Sequence, residues 1–322
     1  MKEAIFIRQN MAKWHNYERE FKDMKSLSPD YLAEAYEELT GDLAFAQTHY
    51  PNSTITTYLN SITAQLHQQI YSSKRESASR LITFWTRELP LAMWQARRAM
   101  FLSLVIFLVA VAVGAFSAYF EPDFVRLVLS DEYVERSIEN VESGNPMGIY
   151  GDTPEAVMYF AITYNNIKVA FFAFAAGLLT SIFTAYILFN NGVILGAWLV
   201  FFFRYGLLSL SLTTIMLHGT LELSAIIIAG GAGIVMGNGW LFPGTYSRLE
   251  SFKRSAKRGT KIVLGVVPLL IVAGFIESFI TRHVEWPLWV RASIIGVSAL
   301  VVLFYYVFYP WWVAHHEGKS AA

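Results

Sequence analysis

Hydrophobic and polar positions follow two different rhythms along this chain. Over residues 1–98 they alternate at helical spacing, and turn signals at Ser28-Pro29-Asp30 and Tyr50-Pro51-Asn52-Ser53 divide the stretch into three or four amphipathic helices. Asp30 and Ser53 are placed to cap two of them. The last of these helices carries Lys74, Arg75, Arg80, Arg87, Arg97 and Arg98, then enters the apolar run 99–120 with no turn signal stronger than Pro90. From there onward long apolar runs alternate with short polar segments, the pattern of a chain that crosses a membrane repeatedly.

The polar segments set the topology. Residues 121–155 hold nine Asp or Glu against two Arg, which places this acidic segment outside the cytoplasm. Helical pattern resumes after Asp152-Thr153-Pro154, and 167–189 is a second span. Asn190-Asn191-Gly192 reads as a tight turn, leaving 193–203 as a short third segment that either spans or is re-entrant. The run 207–236 is longer than one crossing needs, and Gly230, Gly231, Gly233 and Gly237 give it a smooth face on which another helix, such as that of a second copy in a homodimer, can approach closely. Residues 238–261 carry six Lys or Arg against one Glu, so this basic loop is expected in the cytoplasm. Spans 262–280 and 288–309 follow, flanked by Trp286, Trp289, Trp311 and Trp312 as interfacial anchors.

The expectation is therefore an all-α polytopic bundle of about six transmembrane helices. An N-terminal cytoplasmic helical domain (1–98) precedes a transmembrane domain (99–313), and a short tail (314–322) puts both termini in the cytoplasm. Composition agrees: of 322 residues, 54% are hydrophobic and 16% charged, with a mean hydropathy of +0.38. The formal net charge is zero, so no basic field argues for nucleic acid, and the lipid bilayer is the first partner. The absence of cysteine excludes disulfides, thiolate zinc sites, iron–sulfur clusters and cysteine nucleophiles.

Ionisable groups inside such spans are expensive and usually mark function. His218 and Glu222, four residues apart, share one helix face. Counting along each span at about 1.5 Å per residue brings Asn165, Asn166, Lys168, His218, Glu222, Glu277 and Arg291 toward the outer leaflet, a candidate buried polar cluster. Three readings stay open. It can be a structural network of paired side chains that fixes helix register. It can be a proton or cation pathway, or a metal site with His218, Glu222 and Glu277 as ligands and an open position for activated water. The familiar His-Glu-x-x-His pattern is absent.

From about Asn165 the chain resembles the stage II sporulation protein M family of integral membrane proteins. The resemblance rests on Asn165-Asn166, on Asn191-Gly192 before Leu195-Gly196, and on His218-Gly219-Thr220-Leu221-Glu222-Leu223-Ser224-Ala225. It continues through the glycine-rich stretch around Gly230, Pro243-Gly244, and Ala273-Gly274-Phe275-Ile276-Glu277-Ser278-Phe279-Ile280. It implies a bacterial inner-membrane protein of the envelope, a scaffold or platform for cell-wall remodelling partners, which the N-terminal domain would dock. It also singles out Asn165, Asn166, His218, Glu222 and Glu277.

Overall fold

The computed structural model describes residues 2–21, 27–71, 78–144, 154–283 and 286–320, so that Lys74, Arg75, Asp152 and Thr153 lie outside the described residues. Among the described residues the secondary structure is helical, without strands. The chain divides into two compact units, Met1–Arg80 and Leu81–Ala322. The division falls before residue 98 because Leu89, Ala92, Met93 and Ala96 are already buried in the core of the second unit.

The first unit is built on α1 (Glu3–Glu20), α2 (Pro29–His49) and α3 (Thr54–Tyr71). Ser28, not Asp30, caps α2: its Oγ accepts from the Tyr31 amide at 3.2 Å. Pro29 occupies the first turn, where a missing N–H costs nothing, and Asp30 adds negative charge where the helix dipole favours it. The apolar faces close around Trp14, Leu39, Leu59 and Leu66, all fully buried. Trp14 keeps its one polar atom satisfied by donating Nε1–H to Asp42 Oδ2 at 2.8 Å, and Lys13 pairs with the same carboxylate at 2.7 Å.

Among the described residues six helical stretches are long and apolar enough to cross a membrane. The first starts within the short α4 (Ala78–Thr83) and runs through α5 (Leu89–Phe120). Two helices then fold the acidic segment, α6 (Asp123–Leu129) and α7 (Asp131–Glu142). The other spans are α8 (Glu155–Ala175), α9 (Ser181–Arg204), α10 (Leu208–Leu241), α11 (Arg248–Phe275) and α12 (Leu288–Val302), the last continued through a π-helical stretch into α13 (Tyr309–Ser320). Val125 and Val134 of the acidic segment pack with Phe201 and Phe202 of α9, and Trp198 donates Nε1–H to the Tyr133 phenol at 2.8 Å.

The turn between the second and third spans lies elsewhere than the polar signal suggests. Asn190, Asn191 and Gly192 sit inside α9, a 24-residue helix, so 193–203 is the second half of a full-length span and not a re-entrant segment. The chain reverses at Leu179-Thr180, where the Thr180 hydroxyl accepts from the Ile182 amide at 3.2 Å. Gly192 and Gly196 serve packing instead of turning: a Cβ at either would collide with the α5 backbone, at Phe107 and Val111 respectively. Asn191 disposes of its amide by donating to the Ile187 carbonyl at 2.9 Å. The basic stretch is likewise helix for most of its length, because the Ser247 hydroxyl caps α11 by accepting from the Glu250 amide at 3.3 Å.

α10 is the axis of the bundle, contacting α5, α8, α9, α11 and α12. Its glycines are consumed inside the chain: Gly230 faces Leu188, Gly231 faces Met100, Gly233 faces Thr184 and Ala173, and Gly237 meets the Ser181 backbone. All four are buried. The glycine-rich face expected to receive a second copy is therefore occupied by α5, α8 and α9, since small residues let the helices of one chain pack closely just as well.

Candidate metal centre

α8, α10 and α11 bring the central polar residues together. His218 is 3% exposed and lies one turn before Glu222 on α10. Glu277 comes from a π-helical turn, Ile276–Ile280, that extends α11. This turn is closed by the Thr281 amide donating to the Ile276 carbonyl at 2.9 Å, a five-residue step where an α-helix would take four. Such π turns recur at functional sites because the extra residue re-aims neighbouring side chains. Here the turn directs Glu277 at the imidazole, with His218 Nε2 and Glu277 Oε1 3.8 Å apart. One ligand atom from each of His218, Glu222 and Glu277 lies within 4.8 Å of the others, a grouping that can hold a metal ion.

The hydrogen-bond chain around the imidazole assigns its tautomer. The Thr281 hydroxyl donates to the Ile276 carbonyl at 3.2 Å and stands 3.2 Å from His218 Nδ1. A hydroxyl has one proton to donate, so Thr281 accepts from Nδ1–H. The lone pair of His218 is then on Nε2, the nitrogen that faces Glu277. At 3.8 Å the two atoms are farther apart than a direct hydrogen bond allows. They do match two donors sharing one cation, since bonds of about 2.0–2.2 Å to nitrogen and oxygen place ligand atoms some 3–4 Å apart.

Asn166 on α8 is buried, and its Nδ2 is turned toward the Glu222 carboxylate without closing a hydrogen bond of good geometry. Its neighbours behave differently. Asn165 and Lys168, expected in the same cluster, are on the exposed side of α8. One residue is a rotation of about 100° on a helix, so positions flanking an inward-facing residue turn away from it. Arg291 is half-buried, and its Nη1 donates to Thr213 Oγ1 at 3.3 Å while its buried Nε has no partner. Among the described residues Glu277 is therefore matched with His218, and not with Lys168 or Arg291.

Two contributors escaped the sequence reading. Thr281 orients the imidazole, and Arg282 ties the end of α11 to the start of α8 through Glu155 at 3.2 Å. Both directly follow the stretch that ends at Ile280, and a hydroxyl four residues beyond Glu277 was the available signal.

A family model described as Stage II sporulation protein M matches residues 103–282, which contain Asn166, His218, Glu222, Glu277 and Thr281. A second model, described as a domain of unknown function, matches residues 4–72, within the first compact unit. No curated protein and no solved structure matches.

Proposed function

This chain belongs to the stage II sporulation protein M family, and from that premise we propose that it is a metal-dependent protein of the bacterial inner membrane whose His218, Glu222 and Glu277 hold one divalent cation. In this reading both termini are cytoplasmic, which the basic start of α11 supports under the positive-inside rule. The ion then sits in the outer half of the bilayer. The observation that carries this reading is the grouping of His218, Glu222 and Glu277, whose ligand atoms lie within 4.8 Å of one another, with Nδ1 of His218 held against the Thr281 hydroxyl and Nε2 toward Glu277 at 3.8 Å.

Charge supports it as well. Two carboxylates, a neutral imidazole and a divalent cation sum to zero, the least costly state for such a group in a low-dielectric surrounding. One nitrogen and two oxygen donors suit zinc or manganese. Three protein donors leave a coordination position open, where a water is acidified or a substrate oxygen polarised, so the chemistry the centre can support is metal-assisted hydrolysis.

The test is metal analysis of full-length protein purified without chelators and then titrated with zinc or manganese. About one equivalent is expected in the native protein and none in His218→Ala or Glu277→Gln variants that still elute as folded protein. A native protein that binds neither ion would overturn the reading.

A second reading is favoured by the first compact unit, Met1–Arg80, which has its own core and its own family match. It is a scaffold for envelope partners docked through the N-terminal helices, with the polar cluster holding helix register. Under that reading Glu277→Gln lowers stability in a protein that carries no metal.

A further inference from the structure

The second unit carries a concave basic pocket of about 520 Å³, and none of the candidate metal ligands lines it. Arg254, Lys257, Arg258 and Lys261 line it from α11. Positions three, four and seven residues apart share one helix face, so the four form a single stripe. Arg87, just before α5, and Gln95 on α5 line it from the other helix. Among the described residues the lining holds five cations against one carboxylate, Glu88.

Orienting a span requires basic residues on one side of the membrane, not on one face of a helix. The shared face has a cost that orientation does not explain. Arg254 with Arg258 and Lys257 with Lys261 are like-charged pairs four residues apart, and such pairs weaken a helix. Two of the four cations are offset within the chain: Lys261 Nζ pairs with Glu88 at 2.6 Å, and Arg254 Nε with Glu250 at 2.6 Å. Lys257 and the half-buried Arg258 remain, and among the described residues neither has a carboxylate within ion-pair distance. A phosphate-bearing anion is the counter-charge that suits them. The guanidinium offers phosphate oxygens a planar fork of donors, and the ammonium a compact point charge.

A neighbouring cavity indicates the source of that anion. Gln95 and Arg258 also line a second space of about 360 Å³, so the two are contiguous. Its walls include Ala99 and Leu102 of α5, with Val235 of α10 and Phe242 just beyond that helix, and Arg98 adds a further cation. Leu102 and Phe242 are exposed, which leaves an apolar side open to lipid. The basic stripe ends at Lys261, directly before the apolar run 262–280. A basic pocket between spans at that boundary is a recurrent setting for anionic head groups.

We propose that the two cavities hold one phospholipid with two phosphates, of the cardiolipin type, drawn from the leaflet at the start of α11. Its phosphates lie against Lys257 and Arg258 and an acyl chain lies against Leu102 and Phe242. Two phosphates match the two cations that the chain itself leaves without carboxylates. The site is separate from the metal centre and stands or falls without it.

The experiment is native mass spectrometry of the full-length protein released from detergent micelles and titrated with tetraoleoyl cardiolipin, dioleoyl phosphatidylglycerol, dioleoyl phosphatidylcholine and inorganic pyrophosphate. Cardiolipin is expected to bind at least tenfold more tightly than either other lipid, and pyrophosphate only weakly. The double variant Lys257→Gln/Arg258→Gln should lose about tenfold in cardiolipin affinity. Lys253→Gln removes an exposed cation of the same helix that lines neither cavity, and should bind as the native protein does. Gln95→Trp blocks the passage between the cavities from an exposed position without changing charge, and should weaken cardiolipin about tenfold. A native protein that fails to separate cardiolipin from the other lipids carries annular lipid only, which overturns the proposal. Pyrophosphate binding as tightly as cardiolipin would make the site one for a soluble phosphate and overturn the lipid assignment. An equal loss in Lys253→Gln and in the double variant would reduce the effect to general surface charge, and full affinity in a folded Gln95→Trp protein would remove the cavities from it.

Discussion

His218 and Thr281 lie 63 residues apart in sequence and meet at 3.2 Å between imidazole Nδ1 and hydroxyl oxygen. The contact is the outer half of a relay, because the same hydroxyl donates to the Ile276 carbonyl at the start of the π turn that carries Glu277. One turn of α11 therefore sets both the carboxylate and the tautomer of the imidazole it faces. Where a histidine does bind metal, loss of a partner of this kind typically costs roughly 10–100-fold in affinity.

Thr281→Val removes the relay while preserving the shape of the side chain. It should weaken zinc or manganese binding by roughly 10–100-fold, the range seen when such supporting groups are lost, whereas Thr281→Ser should stay near native. Competition titration against a chelating dye reads both, and equal affinities for the two variants would exclude the proposed role of the hydroxyl.

Gly196 lets α9 lie directly on α5, with the Val111 carbonyl and Ala115 amide where a Cβ would be. Backbone cannot step aside as a flexible side chain does. Gly196→Leu should therefore destabilise the second unit by at least about 1–3 kcal/mol, the usual penalty of overpacking. A thermal melt in detergent monitored by tryptophan fluorescence should show the loss; an unchanged midpoint would contradict the close approach.

Trp14 is fully enclosed by the helices of the first unit and hydrogen-bonded to Asp42. Trp14→Ala should cost about 3–5 kcal/mol, as large aromatic truncations in cores do, and leave Asp42 without that donor. Hydrogen exchange on the full-length protein is the direct readout: protection in α1–α3 should fall sharply.

Tyr31 donates its phenol to Glu20. That hydrogen bond, with a smaller contribution from burial, pushes the phenol up to about 12, above its usual value of about 10. A folded-state value above the unfolded one means that the contribution to stability is complete below about pH 10 and is lost as pH rises through about 12. In an absorbance titration of tyrosinate, Tyr31→Phe should delete one phenol from the group that ionises near 12, and the variant's first unit should lose less stability than the native one between pH 10 and 12. Deletion of a phenol ionising near 10 would refute the pairing.

Hydropathy made the number of spans readable, because a run of apolar residues long enough to cross a bilayer has few alternatives. It misplaced one boundary. Asn190-Asn191-Gly192 has the composition of a turn, yet α5 packs against Gly192 and the Asn191 amide finds an i−4 carbonyl, so the helix continues. The true reversal at Leu179-Thr180 is apolar on its first side and carries only the Thr180 cap as a signal. Local chemistry proposes turns, and helix packing selects among them.

The site divides along the same line. His218 and Glu222 were legible as neighbours because spacing of four on a helix is a local property, and Glu277 joined them by its depth in the next span. Depth along a span is a one-dimensional coordinate, which is why Asn165, Lys168 and Arg291 were drawn in with them. Which way each side chain turns about its helix axis is decided by packing: Asn166 inward, Asn165 and Lys168 outward. The sequence by itself determined an all-α membrane protein with a separate N-terminal helical unit and a costly set of ionisable residues in its spans. Only the tertiary structure decided that the glycines of α10 are spent within the chain, that α9 is one unbroken helix, and that Thr281 turns His218 Nε2 toward Glu277. Those outcomes depend on rotation and register between helices, and both are settled by contacts between residues far apart in the chain.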